Sequence, residues 1–116
     1  MKVAVIGSRT LKDYEYVKKN LNGIHITELI SGGAIGADSL GERYAKEKGI
    51  PTKIFLPDWK KHGKAAGFIR NTDIIENADI VVAFWDMESK GTKDSIDKAY
   101  KLNKKVLIVN TNHKKS

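Results

Sequence analysis

Cysteine is absent from all 116 residues. The chain therefore forms no disulfide, holds no metal through thiolates and uses no cysteine nucleophile. Proline is almost absent as well, with only Pro51 and Pro57, and no repeat, low-complexity tract or linker interrupts the sequence. No apolar run approaches the roughly 18–20 residues of a membrane-crossing helix. Met1 leads straight into the apolar stretch Lys2–Ile6, so no signal peptide is expected. A cytoplasmic protein without membrane contact is the expectation. His25, His62 and His113 show no metal-ligand spacing, so neither a metal nor a cofactor is expected.

Arginine is scarce. Only Arg9, Arg43 and Arg70 stand against eighteen lysines. General surface charge is made with lysine here, whereas the planar, forked guanidinium suits phosphate or carboxylate. Arg9 and Arg70 both lie beside glycine-rich segments. The net charge of +7 is mainly a feature of the C-terminal end: residues 101–116 carry five lysines and no acid, and the remainder holds 16 basic and 14 acidic side chains, a net of +2. A solvated lysine tail explains this excess more simply than a nucleic-acid arm does.

What the chain has in quantity is alternation. Apolar runs at residues 2–6, 26–30, 52–56, 79–84 and 105–109 read as strands. Between them, residues 11–21, 35–48, 64–77 and 92–103 carry helical periodicity. Gly49 and Pro51 end the second helix. The runs at 2–6, 79–84 and 105–109 are near-continuous in Val, Ile, Ala and Leu, as in parallel strands buried on both faces. The expected architecture is an α/β three-layer sandwich with a five-stranded parallel sheet in order 3-2-1-4-5. One domain spans residues 1–110, followed by a basic tail at 111–116.

Every glycine-rich turn falls at the carboxyl end of a strand, where ligands bind in such sheets. Gly7-Ser8-Arg9 follows the first strand, Ser31-Gly32-Gly33-Ala34-Ile35-Gly36-Ala37-Asp38 the second, and Ser89-Lys90-Gly91-Thr92 the fourth. A glycine-rich turn into a helix leaves bare N–H groups and a positive helix end where a phosphate can sit. The expected site therefore collects Gly7, Ser8, Arg9, Ser31, Gly32, Gly33, Asp38, Trp59, Arg70, Asn71, Ser89, Gly91 and Thr92. The glycines permit close backbone approach, and Gly33→Val is expected to block binding while sparing the fold. Ser8, Ser31, Ser89 and Thr92 offer hydroxyls to phosphate. Trp59 or Trp85 stacks on a base. Asp38 accepts from a ribose hydroxyl, or simply complements the positive end of its helix. Asp73, Asp86 and Asp94 are further carboxylates near the site. Tyr14, Tyr16, Phe68 and Tyr100 either face the core or supply contacts for a homodimer.

Taken in order, these segments resemble the SLOG superfamily, the Rossmann-like proteins related to Smf/DprA and to the LOG phosphoribohydrolases, and within it the small YspA-like branch. The matching residues are Val5-Ile6-Gly7-Ser8-Arg9, Ser31 to Asp38, Trp59, Ala66-Gly67, Arg70-Asn71, Ala78-Asp79, and Ser89 with Gly91-Thr92. The resemblance implies a Rossmann-like fold and a small nucleotide-like ligand, with the protein acting as a sensor or carrier. LOG enzymes carry an arginine before the fourth strand and a Gly-Gly-x-Gly-Thr-x-x-Glu segment after it. Arg70 and Gly91-Thr92 match, but the doubled glycine is missing and Ser95 occupies the glutamate position. A serine cannot serve as a carboxylate in proton transfer, so N-glycosidase action on a nucleoside phosphate is the alternative and not the leading reading. Single-stranded nucleic-acid binding is a second alternative.

Overall fold

Val3, Ala4, Val5 and Ile6 are all buried. Four consecutive apolar residues in an extended strand need cover on both faces, and the strand they form, β1 (Lys2–Gly7), is the middle of the sheet. In the computed structural model, which describes residues 1–112, β1 is followed by α1 (Tyr14–Leu21), β2 (Glu28–Ser31), α2 (Ala37–Lys48), β3 (Thr52–Ile54), α3 (Trp59–His62), α4 (Ala66–Asn77), β4 (Ile80–Trp85), α5 (Lys90–Lys101) and β5 (Lys105–Asn110). The sheet is five-stranded, in order β3-β2-β1-β4-β5. Every neighbouring pair is parallel, with Val3 opposite Leu29 on one side and Ile80 on the other. This is the α/β sandwich and strand order expected from the alternation of runs.

The period of two along each strand sorts the core into two layers. Val3, Val5, Leu29, Val82 and Phe84 point to the side covered by α1 and α2, meeting Val17, Leu21, Tyr44 and Ala45. Ala4, Ile6, Ile30, Val81 and Ala83 point to the side of α4 and α5, meeting Ile74, Ile75, Ile96 and Ala99. Each buried aliphatic side chain contributes about 1.5–3 kcal/mol, so the two layers together carry the stability of the domain.

Several boundaries differ from the sequence reading. The first helix begins at Tyr14 instead of residue 11, because Asp13 caps it: its Oδ1 accepts from Tyr16 N at 3.1 Å. Residues 59–65 form a short helix and a 3-10 turn that the periodicity did not reveal. Asp58 starts it, its Oδ1 accepting from Lys61 N at 3.1 Å. β5 is not buried on both faces. It is the edge strand, and Leu107 and Ile108 are 42% and 39% exposed.

Two of the four aromatics considered for a dimer contact are tied into the fold, Tyr14 buried and Tyr16 half-buried. Tyr14 is buried and donates its hydroxyl to Glu47 Oε1 at 2.8 Å. Tyr16 donates to Asn110 O at 2.8 Å and sits edge-on to Phe84. Phe68 and Tyr100 are exposed. Of the basic tail, Thr111 and Asn112 dock at the end of β4 and the loop after it: Thr111 N donates to Trp85 O at 3.0 Å and Asn112 Nδ2 to Asp86 O at 2.8 Å. Residues 113–116, with Lys114 and Lys115, lie outside the described residues. Among the described residues no helix is long and apolar enough to cross a membrane.

Candidate functional site

The carboxyl ends of β1, β2 and β4 open onto two adjoining hollows. The inner one is walled by Ile6, Gly7, Arg9, Ala34, Asp38, Arg70, Asn71, Ile74, Ser89, Gly91, Thr92 and Ser95. The outer one is walled by Arg9, Gly32, Gly33, Ala34, Ile35, Leu56, Pro57, Trp59 and Arg70. Of the thirteen residues picked out from the sequence, eleven line one hollow or the other, and Ser8 and Ser31 line neither.

The two serines hold the loops in place. Ser8 is buried; its hydroxyl accepts from Asp86 N at 3.0 Å, its N–H donates to Phe84 O at 2.9 Å, and its carbonyl accepts from Ala37 N at 3.1 Å. It ties the exits of β1 and β4 to the start of α2. Ser31 is buried as well. Its hydroxyl donates to Glu42 Oε2 at 2.5 Å and accepts from Gly33 N at 3.3 Å. Both hydroxyls were expected to face a phosphate; they are committed inside the protein instead.

The β2–α2 loop is built around backbone that only glycine adopts readily. Gly36 has φ +82°, and a β-carbon there would lie 2.3 Å from the Ser8 carbonyl oxygen. Gly36→Val should therefore lower stability by about 3 kcal/mol or more. A variant melting within a few degrees of wild type in thermal denaturation would contradict the structure. Gly33 is also at positive φ, +71°, and a β-carbon there would come 2.6 Å from Leu56 Cδ2. Gly33→Val consequently strains the loop itself and cannot separate binding from folding, contrary to expectation.

Asp38, in the first turn of α2, folds this loop back on itself. Its Oδ2 accepts from Gly32 N at 3.1 Å and Ala34 N at 3.3 Å. Burial pushes its carboxyl up to about 6, against the opposing pull of the Ala34 N–H, Arg70 and the Gly32 N–H. Asp38 is the one acidic residue in the inner wall. The other three carboxylates are placed elsewhere. Asp86 accepts from Glu88 N at 2.9 Å and Ser89 N at 2.8 Å, and the Glu88 N–H foremost holds its carboxyl below the usual range. Asp94 pairs with Lys98 at 2.8 Å. Asp73 lines neither hollow. Ser95 is buried and lines the inner hollow.

Two guanidiniums stand over the junction of the hollows. Arg70 is half-buried and fixed: Nη1 donates to Gly32 O at 2.6 Å and Nε to Asn71 Oδ1 at 3.1 Å. Asn71 is held in turn, its Nδ2 donating to Asp94 Oδ2 at 3.3 Å. Burial lowers the Arg70 pKa, Asp38 opposes that, and Arg9 adds to it. Arg9 is exposed, and among the described residues it has no acidic partner within ion-pair distance. Beneath them lies the first turn of α5, with Ser89, Gly91 and Thr92; Thr92 Oγ1 is 3.2 Å from Ser89 Oγ. The opening N–H groups of a helix lack partners within it. The wall therefore presents two cations, hydroxyls and a positive helix end to any anion that enters.

The two tryptophans differ in their surroundings. Trp85 donates Nε1 to Ser89 O at 3.0 Å and packs against the core layer of α4 and α5. Trp59 is 57% exposed and lines the outer hollow. Ile35 and Leu56 also line it and were missed. The third strand ends at Ile54 and not at residue 56, so Leu56 falls in the loop after it and is exposed.

These features define an α/β domain of Rossmann-like topology whose glycine-rich loops close a cavity under two arginines. The chain belongs to the YspA, cpYpsA-related SLOG family, whose model matches residues 1–62. It is similar to the gene 61 protein of Mycobacterium phage D29, 32% identical over an alignment of 111 positions that covers 86% of this chain and 89% of that protein. Among solved structures it is similar in fold to DNA processing protein A (DprA) of Streptococcus pneumoniae, with a TM-score of 0.78 at 21% identity over 92% of this chain. The chain spans about half of that protein, 49% of its length.

Proposed function

We infer that the protein binds a nucleotide or nucleotide-derived ligand, its phosphate taken up by the inner hollow between Arg9, Arg70 and the first turn of α5. The observation that carries this reading is the convergence of three strand ends beneath two guanidiniums, one of which has no acidic partner among the described residues. No acidic side chain among the described residues pairs with Arg9, and a phosphate would. The ligand-binding residues in this reading are Gly7, Arg9, Gly32, Gly33, Arg70, Asn71, Ser89, Gly91 and Thr92. Ser8 and Ser31 shape the loops.

A thermal-shift series tests it. Nucleoside monophosphates and diphosphates, dinucleotides and ADP-ribose should raise the melting temperature, because a ligand that binds only the folded state stabilises it by mass action. The matching unphosphorylated nucleosides should do so far less. Equal shifts with and without phosphate would remove the reading.

A second reading, cleavage of the N-glycosidic bond of a nucleoside phosphate, draws on Asp38. It is a carboxylate in the cavity wall with its pKa raised to about 6, in the range suited to general acid work. Its Oδ2 is nevertheless occupied by two loop N–H groups, and Ser95 stands where a second carboxylate is needed. No free base should appear from common nucleoside monophosphates. Base released in molar excess over protein would promote this reading over the first.

A further inference from the structure

The two hollows differ in size and in chemistry. The inner one has a volume of about 80 Å3 and the outer one about 360 Å3. Small-molecule sites run to about 300–1,000 Å3, so the inner hollow alone cannot take a sugar and a base together with a phosphate. Its wall is rich in polar groups: Asn71, Thr92, Ser95 and the two guanidiniums.

Apart from Arg9, the outer wall is apolar where it meets solvent. Ile35, Leu56 and Trp59 are 68%, 70% and 57% exposed, and all three border the same hollow. Large apolar side chains gathered around one concavity mark a contact surface. They are also held in place. Leu56 lies directly over the backbone of Gly33, where a β-carbon would come within 2.6 Å of its Cδ2. Trp59 opens α3 behind the Asp58 cap, and its Cη2 lies 3.8 Å from where a Gly67 β-carbon would stand. The indole thus lies over the start of α4 at ordinary packing distance, while more than half of Trp59 stays exposed. The hollows share Arg9, Ala34 and Arg70, so one molecule can reach from one into the other past the arginines.

We propose that the ligand lies phosphate-inward and base-outward, with Ile35, Leu56 and Trp59 forming a separate subsite that takes the flat heterocycle. This rests on the nucleotide reading above. Phosphate and base sit at opposite ends of a nucleoside 5′-phosphate, as the polar and apolar hollows sit on opposite sides of the arginine pair. An aromatic platform accepts any base through its π face. The subsite therefore supplies affinity for the heterocycle and the inner hollow supplies selection for phosphate.

Titration calorimetry with the common nucleoside 5′-monophosphates and with ribose 5-phosphate separates the two parts. Wild type should bind at least one monophosphate about tenfold or more tighter than ribose 5-phosphate, the gain expected of one stacked base. Trp59→Ala should abolish that advantage and leave ribose 5-phosphate affinity within about twofold, and Trp59→Phe should restore most of it. Because the side chain is exposed, the melting temperature of the ligand-free variants should stay near wild type. Monophosphate affinity unchanged in Trp59→Ala, or an equal loss for both probes, would overturn the base-outward placement while leaving the phosphate site standing. If wild type binds neither probe, the nucleotide reading falls and the placement falls with it.

Discussion

Replacing Arg70 with methionine should weaken binding of a nucleoside monophosphate by about a hundredfold. A charge-assisted contact to phosphate from the N–H groups that Arg70 does not spend on Gly32 and Asn71 contributes roughly 2–3 kcal/mol, and losing it leaves the anion facing Arg9 alone. Arg70→Lys keeps the charge but not the fork, and should cost about tenfold. The same substitutions should lower stability, because Arg70 ties α4 to the Gly32 carbonyl and to Asn71. Arg9 provides the control. Exposed and without an acidic partner among the described residues, Arg9→Met should reduce affinity about tenfold with little change in the melting temperature of the free protein. Calorimetry paired with thermal denaturation checks both arms. Arg70→Met binding as tightly as wild type would show that the cavity under the arginines is not the phosphate site.

Asp38→Asn should act in the opposite direction on anions. The side chain brings the one negative charge into the inner wall and lies close enough to Arg70 to shift its titration. Neutralising it leaves the guanidiniums uncompensated. Sulfate, whose charge is constant between pH 5 and 8, is the cleanest probe. At pH 8 the variant should bind sulfate about tenfold tighter than wild type, and near pH 5 the two should converge as Asp38 takes up its proton. Stability follows the same titration. The folded-state pKa of Asp38, about 6, lies above the ordinary 3.8. The contribution is therefore fully present below about pH 4 and is lost as pH rises through 6. The loss is on the order of 3 kcal/mol. Asp86 and Glu47, whose carboxyls are held low, contribute with the opposite sign at more acid pH, so the window between 4.5 and 6.5 belongs to Asp38. Wild type should lose stability across that window relative to Asp38→Asn in denaturant titrations. Parallel curves would show that Asp38 titrates normally.

The sheet was legible because its central strands carry nothing but apolar residues. Ala4-Val5-Ile6 and Val81-Val82-Ala83 read as buried from composition alone. β5 reads the same way and is nonetheless exposed, since a strand's place at the sheet edge is set by chain connection and helix coverage, not by its own residues. Around the site, glycines announced the turns, the scarcity of arginine drew attention to Arg70, and Asn71 came with the family resemblance. The direction of the serine hydroxyls was not legible. Ser8 and Ser31 turn inward because Asp86 N and Glu42, distant in sequence, arrive beside them. The apolar outer wall was hidden for a related reason. Ile35 and Leu56 look like ordinary core residues until the loops that carry them prove to face solvent.

The most direct measurement is a crystal structure of the protein with a nucleoside 5′-monophosphate. The account places the phosphate within hydrogen-bond distance of Arg9, Arg70 and the first turn of α5, with the base against Trp59. A phosphate bound elsewhere, with the cavity under the arginines left without ligand, would contradict it.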